Sequence, residues 1–122
     1  MNYDLEQRTL IFSEYLIEFC SVVPQGSINT PIINQLIRSG TSIGANYSEA
    51  NSASSKKDFK NKIYICKKEA QETEYWLKLV LKANPSLIDS INKLRNENSQ
   101  FILIFGKILS TINNRIESKL SS

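Results

Sequence analysis

Histidine is missing from all 122 residues. That absence removes imidazole acid–base chemistry, triads built on histidine and the commonest zinc sites. Cysteine is scarce: Cys20 and Cys66 show no paired spacing, and both fall on helical apolar rows. Buried free thiols in a reducing compartment are the expectation. No apolar run approaches the roughly 18 residues that a membrane span needs. The opening MNYDLEQR is too acidic and polar for a secretory signal. A cytoplasmic protein with no membrane partner is therefore expected. Strand-like alternation, internal repeats and a Walker-type glycine loop are also absent from the sequence. Neither sign of charge dominates. Fifteen Lys and Arg against twelve Asp and Glu leave +3, which permits a nucleic-acid or acidic partner without demanding one.

What is present is helical periodicity. The length suggests one domain over residues 1–122, large enough to bury about two-thirds of its unfolded surface. Four patterns are predicted as helices, near 4–23, 31–51, 56–83 and 87–117. The first carries Leu5, Thr9, Phe12, Leu16, Phe19 and Val23, widened by Leu10, Ile17 and Cys20, and Pro24-Gln25-Gly26 ends it. The second opens at Pro31 with Asn29 or Thr30 as cap. The third follows a capping-box-like Ser55-Lys56-Lys57-Asp58 with the row Phe59, Ile63, Cys66, Ala70, Thr73, Leu77, Val80. The fourth, capped by Ser86, carries Ile91, Leu94, Asn98, Phe101, Phe105, Ile108 and Ile112, broadened by Ile102, Leu109 and Ile116. Short connections make consecutive helices antiparallel neighbours. The predicted fold is all-α, an up-down-up-down antiparallel four-helix bundle.

The second pattern is unusual. Its row Ile33, Leu36, Gly40, Ile43, Tyr47, Ala50 contains Gly40, and Gly44 lies close by. Each glycine costs about 1 kcal/mol against alanine inside a helix. Three readings account for them: close approach of a neighbouring helix, which is preferred, a break, or a ligand against bare backbone.

The third pattern holds the candidate partner surfaces. A second row, Ile65, Glu69, Glu72, Trp76 and Leu79, is read as lying across the helix from the core row. It is assigned to an oligomer interface anchored by Trp76. Between the rows, Lys56, Lys57, Lys60, Lys67, Lys68, Lys78 and Lys82 share about a third of the circumference, with Tyr64 and Tyr75 among them. A lysine strip with interleaved tyrosines can track a phosphate backbone and stack bases. A solvated charged face is the plainer reading.

The segment QLIRSGTSIGANYSEA followed by SKKDFKNKIYICKKEAQETEYWL resembles the bacterial family of 23S rRNA intervening-sequence proteins, also called the S23 family. Gln35, Arg38, Ser39, Ser42, Ile43, Ala45, Asn46 and Glu49 carry the resemblance in the second helix. Asp58, Phe59, Glu69, Glu72 and Leu77 carry it in the third. The family often has Glu-Gly where this chain has Glu49-Ala50. The resemblance implies a four-helix bundle able to form a homopentamer. It also implies kinship with the accessory variability determinants of diversity-generating retroelements, basic pentamers that bind a reverse transcriptase and its template RNA.

Arg38, Asn46 and Glu49 are expected to form a structural polar network. Arg38 and Glu49 lie about 16 Å apart along one helix, so each must pair across, Arg38 for example with Glu69 or Glu72. Glu69 and Glu72 lack the histidines of a bundle metal site, so no metal, and no cofactor, is expected. The leading expectation is a non-enzymatic homo-oligomer that binds RNA or DNA through the lysine strip. The alternative is an adaptor that docks a reverse transcriptase or another protein without RNA affinity of its own.

Overall fold

The computed structural model describes residues 4–121, and side chains over residues 4–115. Ile116, assigned to the apolar face of the fourth helix, lies outside the described side chains. Helix α1 spans Leu5–Val22. Asp4 caps it, accepting the Gln7 N–H at 2.8 Å, which satisfies one of the donors that a helix start leaves open.

Helix α2 spans Asn29–Asn51 and so begins two residues before Pro31. Proline is tolerated there because first-turn N–H groups have no helical partner. The expected cap by Asn29 or Thr30 is not made: Ile28 holds the cap position without a side-chain bond. Asn29 instead ties the α1–α2 connection to the end of α3 at one end of the bundle. Its Nδ2 donates to the Pro24 carbonyl at 2.9 Å and to Asn84 Oδ1 at 3.1 Å, and Asn84 Nδ2 donates back to Asn29 Oδ1 at 2.9 Å.

Helix α3, Lys56–Ala83, is capped by Ser55, which accepts the Asp58 N–H at 3.1 Å. The reciprocal half of the box is not made. The shorter Asp58 carboxylate takes the Ser54 hydroxyl at 3.0 Å. A 3-10 turn over Pro85–Leu87 absorbs Ser86, and helix α4 runs over Ile88–Ser121, past the predicted end at 117.

Close backbone approaches join α1 to α2, α2 to α3, α3 to α4 and, more sparsely, α1 to α4; among the described residues none crosses the diagonals. That pattern is the up-down-up-down bundle. Leu16, Leu36, Ile43, Ile63, Cys66, Leu77, Ile91, Phe101 and Phe105 are fully buried at its centre. Two residues assigned to the core stripe of α1 are not in it: Leu10 and Ile17 are 60% and 55% exposed. Leu10 borders a shallow groove lined by Thr41, Gly44, Ala45 and Ser48, side chains too short to cover it.

The glycines of α2 mark close packing, not a break. The helix is continuous through them. A Cβ at Gly40 would overlap Leu16 Cδ2 and lie 3.6 Å from Phe12; one at Gly44 would lie 3.2 Å from Thr9 Cβ.

Both cysteines are free and buried. Burial pushes the Cys20 thiol up to about 11 and the Cys66 thiol up to about 12, from an ordinary 9.0. The raised values mean that the fold prefers the neutral thiol. Its contribution to stability is intact below pH 9.0 and is lost as pH rises toward 11 and 12, because the unfolded chain ionises first. Accordingly, a chromogenic disulfide reagent at pH 8 should find almost no reactive thiol in native protein and both thiols after denaturant is added. Rapid native labelling would show these side chains to be accessible thiolates.

Candidate nucleic-acid interface

The outer face of α3 is built by where its charges go. Among its four carboxylates, Glu69 and Glu72 both bond to Arg38 of α2, Glu69 at 3.0 Å. Glu74 bonds to Arg95 of α4 at 2.8 Å, and Asp58 sits in the amino-terminal cap. Lys62, at the edge facing α2, pairs with Glu49 at 2.5 Å. The carboxylates are thus turned toward neighbouring helices or the helix end. The seven lysines of the predicted strip have no carboxylate partner among the described residues.

Lys56, Lys57, Lys68, Lys78 and Lys82 are exposed, while Lys60 and Lys67 are half-buried along their stems. The Lys67 amine would lie 4.0 Å from a Cβ at Gly106, so the missing side chain of α4 leaves room for it. Tyr64 and Tyr75 are 46% and 56% exposed, and Lys60 Nζ stands 5.9 Å from the Tyr64 ring centroid. At 1.5 Å per residue, the strip from Lys56 to Lys82 is about 39 Å long. It is a cationic strip that carries two partly exposed tyrosines.

The second row of α3 requires a correction. At 100° per residue, Ile65, Glu69, Glu72, Trp76 and Leu79 centre about 110° from the core row, not opposite it. They lie on the α2 side, as the Arg38 contacts show. Trp76 packs against its own core, and its Nε1 is buried without a partner. Tyr75 meets it edge-on, with centroids 5.0 Å apart. Leu79 is half-buried and Ile65 only 38% exposed. Trp76 is therefore not an outward anchor, and the inference from it to an assembly fails.

The residues expected to form one polar network separate into three local arrangements. Arg38 bridges to Glu69 and Glu72 and also donates to Gln35 Oε1 at 3.2 Å. The Glu72 hydrogen bond, helped by both carboxylate charges, holds its guanidinium above the ordinary arginine range. Glu49 crosses to Lys62. Asn46 Nδ2 stays local, donating to the Ser42 carbonyl at 2.8 Å.

Sequence reasoning missed the α1–α4 seam. Arg8 Nη2 meets Glu97 Oε1 at 2.6 Å and its guanidinium lies over the Phe101 ring at 5.6 Å. The available signal was its place one turn before Phe12, on the edge of the core row. Beside that pair the seam opens into a groove of 630 Å³, lined by Ile11, Phe12, Tyr15, Phe19, Val22 and Leu94 together with the polar Glu18, Ser90, Lys93 and Glu97. Among the described residues, no group of three His, Cys, Asp or Glu could hold a metal ion, and no helix is long and apolar enough to cross a membrane.

The family model described as 23S rRNA-intervening sequence protein matches residues 2–106. Among solved structures, the chain is similar to the crystal structure of a protein with unknown function from the S23 ribosomal protein family of Bacteroides thetaiotaomicron VPI-5482. The two are 31% identical over 85% of this chain and 96% of that one, with a TM-score of 0.75. Among curated proteins none matches.

Proposed function

Because the chain belongs to the 23S rRNA-intervening sequence protein family, we propose that it is a non-enzymatic bundle that binds RNA along the outer face of α3. The observation that carries the reading is the sorting of charge on that helix: carboxylates turned toward neighbours, seven lysines without a carboxylate partner among the described residues, five of them exposed. Each lysine that neutralises a phosphate releases a condensed counterion, and this drives association. The exposed rings of Tyr64 and Tyr75 add faces on which unpaired bases can stack. Lysine is a point charge without the fork that lets arginine read a base edge. Binding should therefore respond to charge and strand shape more than to sequence.

Fluorescence anisotropy with a labelled single-stranded RNA tests this. Lys60→Glu/Lys67→Glu is expected to weaken binding by at least about tenfold, roughly 1.4 kcal/mol, with helical circular dichroism unchanged. Equal affinity for wild type and variant would reject the strip. A chain that captures a reverse transcriptase or another protein while ignoring RNA is the adaptor of the alternative reading.

A further inference from the structure

We propose that the groove between α3 and α4 receives the bases of a single-stranded RNA whose phosphates lie on the lysines of α3. This deepens the RNA reading and rests on it.

The lysine strip leans toward one neighbour. Lys60, Lys67, Gln71, Glu74 and Lys78 recur at spacings of seven, four, three and four, so they share one flank of α3. That flank faces α4. Glu74 meets Arg95 there at 2.8 Å, and Lys67 lies against the bare backbone at Gly106. The other flank suits a polyanion less. It holds Glu69, Glu72 and Glu49 against Arg38 and Lys62 alone, so its net charge is negative.

Helix α4 lines its side of the seam with groups of another kind. A groove of 570 Å³ opens among Glu74, Asn92, Arg95, Asn96, Ser99 and Ile102. The one carboxylate of α4 between Asn92 and Asn113 is Glu97, which turns away to Arg8 of α1. Asn92 and Asn96 are exposed, and their amides make no hydrogen bond among the described residues. An amide presents a donor and an acceptor side by side, which is what base edges pair with. Ile102, half-buried, and Leu103, 65% exposed, give a base an apolar surface to lie on. The two helices run antiparallel, so Lys67 and Lys78 bracket the groove, about 16 Å apart along α3. A chain that suits both walls is anionic along one edge and carries flat, uncharged, hydrogen-bonding groups along the other. Single-stranded RNA has this form, whereas a duplex keeps those edges paired.

Fluorescence anisotropy tests the groove by comparing a labelled single-stranded RNA with an abasic strand of the same length. Wild type should bind the RNA at least about tenfold more tightly. Asn92→Ala/Asn96→Ala, at exposed positions, should cut that ratio by about fivefold or more. Its affinity for the abasic strand and its helicity should stay as in wild type. Lys60→Glu/Lys67→Glu should instead weaken both strands. Equal binding of the two strands by wild type, or a ratio that the asparagine variant leaves unmoved, would overturn the groove while keeping phosphates on α3. A wild type that binds neither strand would remove the RNA reading and the groove with it.

Discussion

Gly40→Ala should lower the stability of the bundle by about 1–3 kcal/mol, the usual penalty for an extra methyl in a filled core. Intrinsic propensity predicts the opposite sign, since alanine is favoured over glycine in a helix by about 1 kcal/mol. Packing decides the outcome. Gly40 is buried, and its new Cβ would overlap Leu16 Cδ2 with Phe12 beside it. Leu16 is itself fully buried and has nowhere to retreat. Gly106→Ala is the internal control. It too lies inside a helix, but its nearest neighbour is the flexible end of Lys67 at 4.0 Å, so propensity should prevail and stability should rise by up to about 1 kcal/mol. Thermal unfolding of the two variants should move in opposite directions, Gly40→Ala down by roughly 5–10 °C. A stabilised Gly40→Ala would mean that α1 and α2 are not in close contact there.

Asn98→Asp should be the most damaging single-atom-scale change, costing about 3–5 kcal/mol at neutral pH, as for other unpaired buried charges. Asn98 is fully buried in α4. Its Nδ2 donates to the Ala70 carbonyl at 2.8 Å, while its Oδ1 has no partner. Close by in the same core, the Thr73 hydroxyl donates to the Glu69 carbonyl at 2.8 Å and lies 3.0 Å from Ser39 Oγ. A carboxylate at position 98 would lose the donor, face the Ala70 carbonyl and leave two acceptors unsatisfied. Burial would raise its folded pKa above the unfolded value. Its penalty should therefore be greatest above that folded pKa and shrink as pH falls, when the protonated acid can again donate to Ala70. Denaturant unfolding of wild type and variant at pH 4 and pH 7 reads this directly; a pH-independent difference would place position 98 in contact with water.

The core was legible because it needs only one period. The rows from Ile63 to Val80 and from Ile91 to Phe105 lie buried as their spacing predicts. What failed needed knowledge of the neighbours. Whether Trp76 faces water or helix α2 depends on which flank of α3 carries α2, and spacing within one helix does not contain that. Leu10 and Ile17 read as core because they are large and apolar, but the short side chains of α2 opposite Leu10 leave it uncovered. The start of α2 was misplaced because Asn29 is used in a tertiary pair with Asn84, not as a cap. For the candidate site, the lysine positions were readable, and so was a partner for Arg38 among Glu69 and Glu72. The direction of Glu74 toward Arg95 was not, and it completes the separation of charge on α3.

The dependence of RNA affinity on salt tests that separation most directly. Plotted as log affinity against log salt, binding through the α3 strip should give a slope of about −3 to −5, equivalent to roughly four to seven phosphates on a single strand. The Lys60→Glu/Lys67→Glu variant should have a visibly shallower slope. A flat plot, or one that the substitutions leave unchanged, would contradict the assignment of RNA to this face.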